Sequence, residues 1–177
     1  MTGMRVGSVL RIIAAPLFGA VALVTAQIAG AASLAQPVEK PILTVTGKIA
    51  VMNKDGSAQF DRAMLEALGE TSFSTSTPWY KEPVKFEGVP IAKLMDTLGA
   101  SGSNMVAIAL NDYSAEVSLA DIRKYGAILA MKRDGEYMTV RDKGPLFVVF
   151  PYDSDPELKA QKYYSKSVWQ VNRIEVK

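Results

Sequence analysis

The chain of 177 residues has ordinary globular proportions, with 49% hydrophobic and 21% charged residues, which excludes a disordered or fibrous protein. It contains no cysteine and no histidine, so disulfide frameworks, zinc sites with nitrogen or sulfur ligands and histidine-based catalytic triads are excluded. Any catalysis would have to use carboxylates, tyrosine, lysine or a cofactor.

The first 35 residues have the order of a secretory signal. Arg5 and Arg11 precede the apolar run IIAAPLFGAVALVTA, and small residues follow in AGAASLA. The weakly polar segment from Ile12 to Ala35 is long enough for an uncleaved membrane anchor, but Pro16, Gly19 and Gly30 within it favour a cleaved signal. We therefore predict a signal peptide at 1–35, a single domain at 36–177 and a periplasmic or secreted protein, which would contact a membrane only if the signal stays uncleaved.

Removal of this segment changes the net charge. It carries two of the 20 basic residues and none of the 18 acidic residues, so the remaining domain has a net charge of zero. Nucleic-acid binding requires a basic surface, and a nucleic-acid partner is therefore not expected.

The first predicted elements are a strand and a short helix. Apolar and polar residues alternate along 43–51, as in a half-buried strand. Asp61 is placed to cap a helix that ends at Gly69. The run TSFSTST at 71–77 then has six hydroxyl side chains in seven residues, which is typical either of an edge strand or of a loop before Pro78.

The middle of the chain alternates short strands and helices. A strand at 84–86 is followed by a helix at 91–98 with one apolar face, and then by a buried strand at 105–110. Ser118 with Asp121 three residues later predicts a capping box at the start of a third helix.

The C-terminal third is predicted to be mainly strand. Strands at 128–132 and 137–140 flank the sequence RDGE, a hairpin signal because Asp-Gly accepts the positive φ angles of a type I′ turn. A buried strand follows at 146–150, and Asp155 with Pro156 predicts a helix start instead of a calcium site. Without strict strand-helix alternation, the pattern favours one α+β domain.

Six segments resemble, in order and spacing, the molybdopterin-binding domain of the sulfite oxidase family of oxidoreductases. They are LTVTGKI, FEGVPIAKLMDTLG, DYSAEVSLADI, ILAMKRDGEYM, KGPLFVVFP and SVWQVNRIEV. The resemblance extends over 42–176 and implies the α+β fold of that family, with mixed, mostly antiparallel sheets and short helices. In that family a cysteine thiolate just before the aromatic segment binds molybdenum.

The corresponding segment of this chain has the hydroxyl run 71–77 and no cysteine. A thiolate is a soft anionic ligand, whereas a hydroxyl would first have to lose its proton. The signal also lacks the adjacent arginines with which enzymes of this kind are generally exported with their cofactor in place. We therefore expect no metal, no cofactor and no catalytic residue. The alternative is a molybdopterin-dependent oxidoreductase with a non-cysteine metal ligand.

The resemblance implies a former cofactor cleft that would bind a small polar or anionic ligand, or a loop of an envelope protein partner. In this cleft, arginines and a lysine would contact the anion and aromatic rings would form flat walls. The predicted ligand-binding residues are Thr75, Ser76, Thr77, Trp79, Asp112, Tyr113, Arg133, Arg141 and Lys143. A third hypothesis is a subunit or sensor input of a membrane protein, which needs no ligand. Two further aromatics, Tyr164 and Trp169, could line a pocket together with Trp79 and Tyr113, although packing in the core is the more common role of such residues.

Overall fold

The computed structural model describes residues 1–3 and 34–177. The predicted signal peptide falls mainly on residues 4–33, which lie outside the described residues. In the described ranges, no helix has the length and apolar content needed to cross a membrane.

Short strands and helices follow one another irregularly in residues 34–177. They are β1 (Leu43–Gly47), β2 (Ala58–Phe60), α1 (Arg62–Ala67), β3 (Thr71–Thr75), β4 (Val84–Pro90), α2 (Ile91–Thr97), β5 (Asn104–Ala109), β6 (Ser114–Ser118), α3 (Leu119–Tyr125), β7 (Ile128–Arg133), β8 (Glu136–Tyr137), β9 (Phe147–Val149), α4 (Gln161–Tyr164) and β10 (Val171–Val176). Two 3-10 turns lie at Val140–Asp142 and Pro156–Lys159.

The strands form two sheets with a shared apolar core. The first sheet has the order β2-β1-β10-β5-β6, and β10 runs parallel to β1, with Val45 opposite Ile174. The second sheet has the order β3-β4-β7-β8, with β9 also paired to β7 and all of its pairs antiparallel. Side chains from both sheets, including Phe60, Phe86 and Phe147, are fully buried in one hydrophobic cluster.

The approach of β4 to β7 depends on a glycine. The register of this pair shifts between Glu87 and Gly88. A Cβ atom on Gly88 would lie 2.2 Å from the Leu129 carbonyl oxygen, so the two backbones can come this close only because no side chain intervenes. This explains the glycine in the segment FEGVP.

Several predicted elements are confirmed. The Asp61 side chain accepts a hydrogen bond from the Met64 N–H at 2.9 Å and caps α1. Asp134 and Gly135 have φ angles of 51° and 88°, which are the two positive angles that the hairpin turn requires. Asp155 caps the 3-10 turn that begins at Pro156.

Other predictions need correction. The first strand ends at Gly47, where φ is 89° and the chain turns against the backbone of Val176, so it does not reach 51. The capping box is not formed, because the Ser118 side chain accepts the Ala120 N–H at 3.1 Å and Asp121 pairs with Lys166 at 3.0 Å. The predicted strand at 84–86 extends to Pro90, and strand β6 was not predicted.

Candidate binding cleft

A cleft of about 490 Å³ opens between the segment after β3, the β5–β6 turn and the segment around α4. Its aromatic walls are Trp79, Tyr113, Tyr164 and Trp169. Its hydrogen-bonding groups belong to Asn111, Gln161, Ser165 and Ser167, and no charged side chain is among the described residues that line it. The cleft therefore combines flat apolar surfaces with neutral donors and acceptors, the composition of small-molecule sites.

Trp79 is the centre of the aromatic cluster behind the cleft. Its ring makes edge-to-face contacts with four other rings, with centroid distances of 5.4 Å to Phe147, 6.2 Å to Tyr152, 6.0 Å to Tyr164 and 5.7 Å to Trp169. Such pairs stabilise a structure beyond the burial of their surface. The cleft wall is thus continuous with the core and is held in a defined orientation.

Hydrogen bonds fix the polar side of the cleft. The Tyr113 hydroxyl donates to the Ser165 carbonyl at 3.0 Å, which joins the β5–β6 turn to the end of α4. The Ser167 hydroxyl donates to the Tyr163 carbonyl at 3.1 Å and is also hydrogen-bonded to the Tyr152 hydroxyl. Burial raises the pKa of Tyr152 well above its ordinary value, so this tyrosine stays neutral at physiological pH.

A basic group lies at the rim of the cleft. The Lys143 Nζ is 4.5 Å from the centre of the Trp169 ring and 5.8 Å from that of Tyr80, a cation–π arrangement. Arg133 also lies over Tyr80, at 5.1 Å, but its guanidinium is paired with Asp142 at 2.6 Å. Within residues 34–177, Lys143 has no ion-pair partner.

The hydroxyl run has a different task in this structure. Thr75 is fully buried, and its hydroxyl accepts the Asp153 N–H at 3.1 Å. The Asp153 carboxylate in turn accepts the Ser76 N–H at 2.6 Å and pairs with Lys159 at 2.9 Å. The Thr77 hydroxyl accepts the Trp79 N–H at 3.3 Å. These contacts anchor the chain between β3 and Trp79, and none of the three hydroxyl residues lines the cleft.

The anchor at Asp153 predicts a pH dependence. Hydrogen bonds from Lys159 and from the Ser76 N–H lower the pKa of Asp153 from 3.8 to about 2. A lowered pKa stabilises the fold above the unfolded-state value and loses that effect as the carboxylate is protonated. We expect the melting temperature to fall between about pH 4 and about pH 2, and the fall to be smaller in Asp153→Asn. Equal acid sensitivity in both proteins, measured by circular dichroism, would show that the anchor is not the acid-sensitive group.

The structure brings together only part of the predicted binding set. Trp79 and Tyr113 line the cleft, and Lys143 contacts it through Trp169. Asp112 pairs with Arg173 at 2.5 Å outside the lining. Arg133, Arg141, Thr75, Ser76 and Thr77 also lie outside it.

The main residue that the sequence did not assign to the site is Trp169. It is 37% exposed and forms a wall of the cleft, as the aromatic set that could line a pocket allowed. Tyr164 was likewise outside the predicted binding set and lines the cleft. The available signal was the segment SVWQVNRIEV, which resembles the sulfite oxidase family and contains both Ser167 and Trp169.

The fold defined by these two sheets is the sulfite-oxidase-type α+β fold that the sequence predicts, with mostly antiparallel strands and short helices. A solved structure with this similarity is the sulfane dehydrogenase SoxCD from Paracoccus pantotrophus, with a TM-score of 0.57 and 15% sequence identity. The match covers 76% of this chain and 37% of that chain, so this chain corresponds to much less than the whole of its neighbour. No protein-family model and no curated protein matches the sequence. At this identity the similarity establishes the fold alone.

Proposed function

We propose that the chain is an exported, non-catalytic binding module, a small homologue of the sulfite oxidase fold without molybdenum, whose cleft binds a small planar anion. The observation that carries this proposal is Lys143, which lies 4.5 Å above Trp169 at the rim of an aromatic cleft. Hydrogen bonds that involve a charged group contribute about 1.5 to 3 kcal/mol each, and an ammonium at the mouth of the cleft attracts an anion and repels a cation.

The charges around the cleft support an anionic ligand. Two carboxylates next in sequence to residues at the cleft are paired with arginines: Asp142, beside Lys143, pairs with Arg133, and Asp112, beside Tyr113, pairs with Arg173. The ammonium of Lys143, which lies over Trp169, has no ion-pair partner within residues 34–177. Since the domain has no net charge, the preference for anions would be local to the cleft.

The hydroxyl oxygens of residues 71–77 are poor ligands for molybdenum. The buried Thr75 hydroxyl and the Thr77 hydroxyl both accept backbone hydrogen bonds. Each would have to lose its proton to become a metal ligand, and its accepted N–H already uses one lone pair of the oxygen. The part of the chain that the structure describes also has no cluster of three or more acidic side chains suited to a metal ion. These points favour a binding role over the oxidoreductase alternative.

Substitution of Lys143 tests the proposal. Small aromatic carboxylates and phosphates can be screened by thermal shift, and the affinities of the hits measured by calorimetry. We expect Lys143→Ala to lower the affinity for the hits at least tenfold, which corresponds to about 1.4 kcal/mol. The matched control is Arg141→Ala, since Arg141 is an exposed cation two residues away that does not line the cleft, and we expect it to change the affinity by less than about twofold.

Two results would contradict the proposal. No hit among the carboxylates and phosphates, or equal binding of the hits by Lys143→Ala and the parent, would contradict an anion site at Lys143. Elemental analysis of the protein purified from its native envelope fraction separates the alternatives, because stoichiometric molybdenum or tungsten would support the oxidoreductase.

A further inference from the structure

Strand β3 is an unprotected edge of the second sheet. Among the described residues, 1–3 and 34–177, it pairs with β4 alone, and Thr71, Ser72 and Ser74 are exposed. Natural proteins block such edges with charged side chains, prolines or bulges. The sequence of β3, TSFST, has no charge and no proline, and its register with β4 runs without a shift.

The backbone of β4 shows which groups of β3 face outward. The Lys85 carbonyl accepts the Asp134 N–H at 2.8 Å, so Lys85 directs its backbone groups away from β3 and towards the end of β7. In an antiparallel ladder successive residues face opposite sides, so Phe86 bonds to Phe73, its partner in the register. Ser72 and Ser74 therefore direct their N–H and C=O groups away from β4, and within residues 34–177 these groups have no hydrogen-bond partner outside the ladder.

The sequence of this edge is the same in both directions. TSFST is a palindrome centred on Phe73. If a second β3 lay antiparallel to the first with a two-fold axis at Phe73, threonine would face threonine, serine would face serine and phenylalanine would face phenylalanine. No like charges would meet, and hydroxyl and aromatic cross-strand pairs are favourable.

We propose that β3 is the docking surface for a second copy of this chain, paired antiparallel with the register centred on Phe73. In this register Ser72 of one copy and Ser74 of the other face each other as a hydrogen-bonded pair, and every outward N–H and C=O of these two residues finds a partner. The second sheet of one copy and the second sheet of the other then form one continuous sheet, and the interface is isologous. A register centred on Ser74 would place Ser72 opposite Ser76, whose N–H is already bound to Asp153, and one centred on Ser72 would place Ser74 opposite Glu70, which lies outside β3.

Introduced cysteines test both the pairing and its register. The chain has no cysteine, so any disulfide must form at the introduced positions. A mixture of full-length Ser72→Cys and Ser74→Cys proteins is expected to form a disulfide-linked dimer under mild oxidation, because the facing Cα atoms are about 5.5 Å apart. Either variant alone is expected to remain uncrosslinked, since its two cysteines are diagonal neighbours about 7 to 8 Å apart. Crosslinking that is no stronger in the mixture than in the single variants would overturn this register.

Charge variants at the same positions provide a second test. In S72K/S74E each introduced lysine faces an introduced glutamate of the other copy, whereas in S72K/S74K lysine faces lysine. We expect the parent and S72K/S74E to sediment at twice the mass of the denatured chain and S72K/S74K to sediment as a monomer. Circular dichroism serves as the control that each variant is folded. A monomeric parent, or a dimer that is equally stable in both variants, would overturn the proposal.

Discussion

Replacement of Gly88 by alanine is expected to lower the free energy of unfolding by at least about 3 kcal/mol. The new Cβ would lie 2.2 Å from the Leu129 carbonyl oxygen and 2.6 Å from the Ala130 Cα atom. Both are backbone atoms of β7, so neither can rotate away as a side chain could. Relief of the clash would require β4 and β7 to separate and to lose hydrogen bonds in the middle of the second sheet. Urea denaturation measures the loss.

Gly126→Ala is the matched control. Gly126 ends α3 with a φ angle of 68°, and no atom lies within 4 Å of the position of its Cβ. Alanine there is strained without a clash, and the expected cost is about 1 to 2 kcal/mol. If Gly88→Ala is no more destabilising than Gly126→Ala, the close approach of β4 and β7 is not as described.

Trp79→Ala is expected to have the second large effect, because it removes a cleft wall and a part of the core. Its ring contacts four other aromatic rings, among them Phe147 and Trp169. Truncation of a buried tryptophan costs about 3 to 5 kcal/mol, and we expect about 3 kcal/mol for the half-buried Trp79. The affinity for the aromatic anions should fall more than tenfold, since the ring that forms one side of the cleft is lost.

Trp79→Phe separates these two effects. A phenyl ring keeps a flat wall and most edge-to-face contacts, so the variant should be more stable than Trp79→Ala and retain part of its affinity. The chain has only two tryptophans, so in both variants the fluorescence reports on Trp169 alone. If Trp79→Ala has the same emission maximum as the parent protein, the contact between the two indoles is contradicted.

The local elements could be predicted from the sequence, since each has its own signal. The cap at Asp61 and the turn at Asp134 and Gly135 depend on residues next to each other in the chain. The cleft could not be predicted in the same way, because Trp79, Tyr113 and Trp169 come from three distant segments. Lys143 contacts the cleft through Trp169, which belongs to another loop. A contact between two loops cannot be predicted from the local sequence of either one.

The hydroxyl run shows a second limit of sequence interpretation. Its composition agreed with an edge strand, with a loop and, through the family resemblance, with a ligand-binding wall. In the structure the run has two parts: Thr71–Thr75 form β3, and the Ser76 N–H that follows is hydrogen-bonded to Asp153. A serine or threonine hydroxyl serves equally well in either environment, so its partners and not its identity determine its role.

The position of β10 has a consequence for the order of folding. β10 lies between β1 and β5 in its sheet, although it follows every other strand in the chain. Until β10 has been synthesised, β1 and β5 both lack their β10 partner, so one edge of each strand is open. Pairing between strands so far apart in sequence is intrinsically slow. A chaperone that shields the β1 and β5 edges during this interval should therefore raise the yield of folded protein more than one that protects the second sheet.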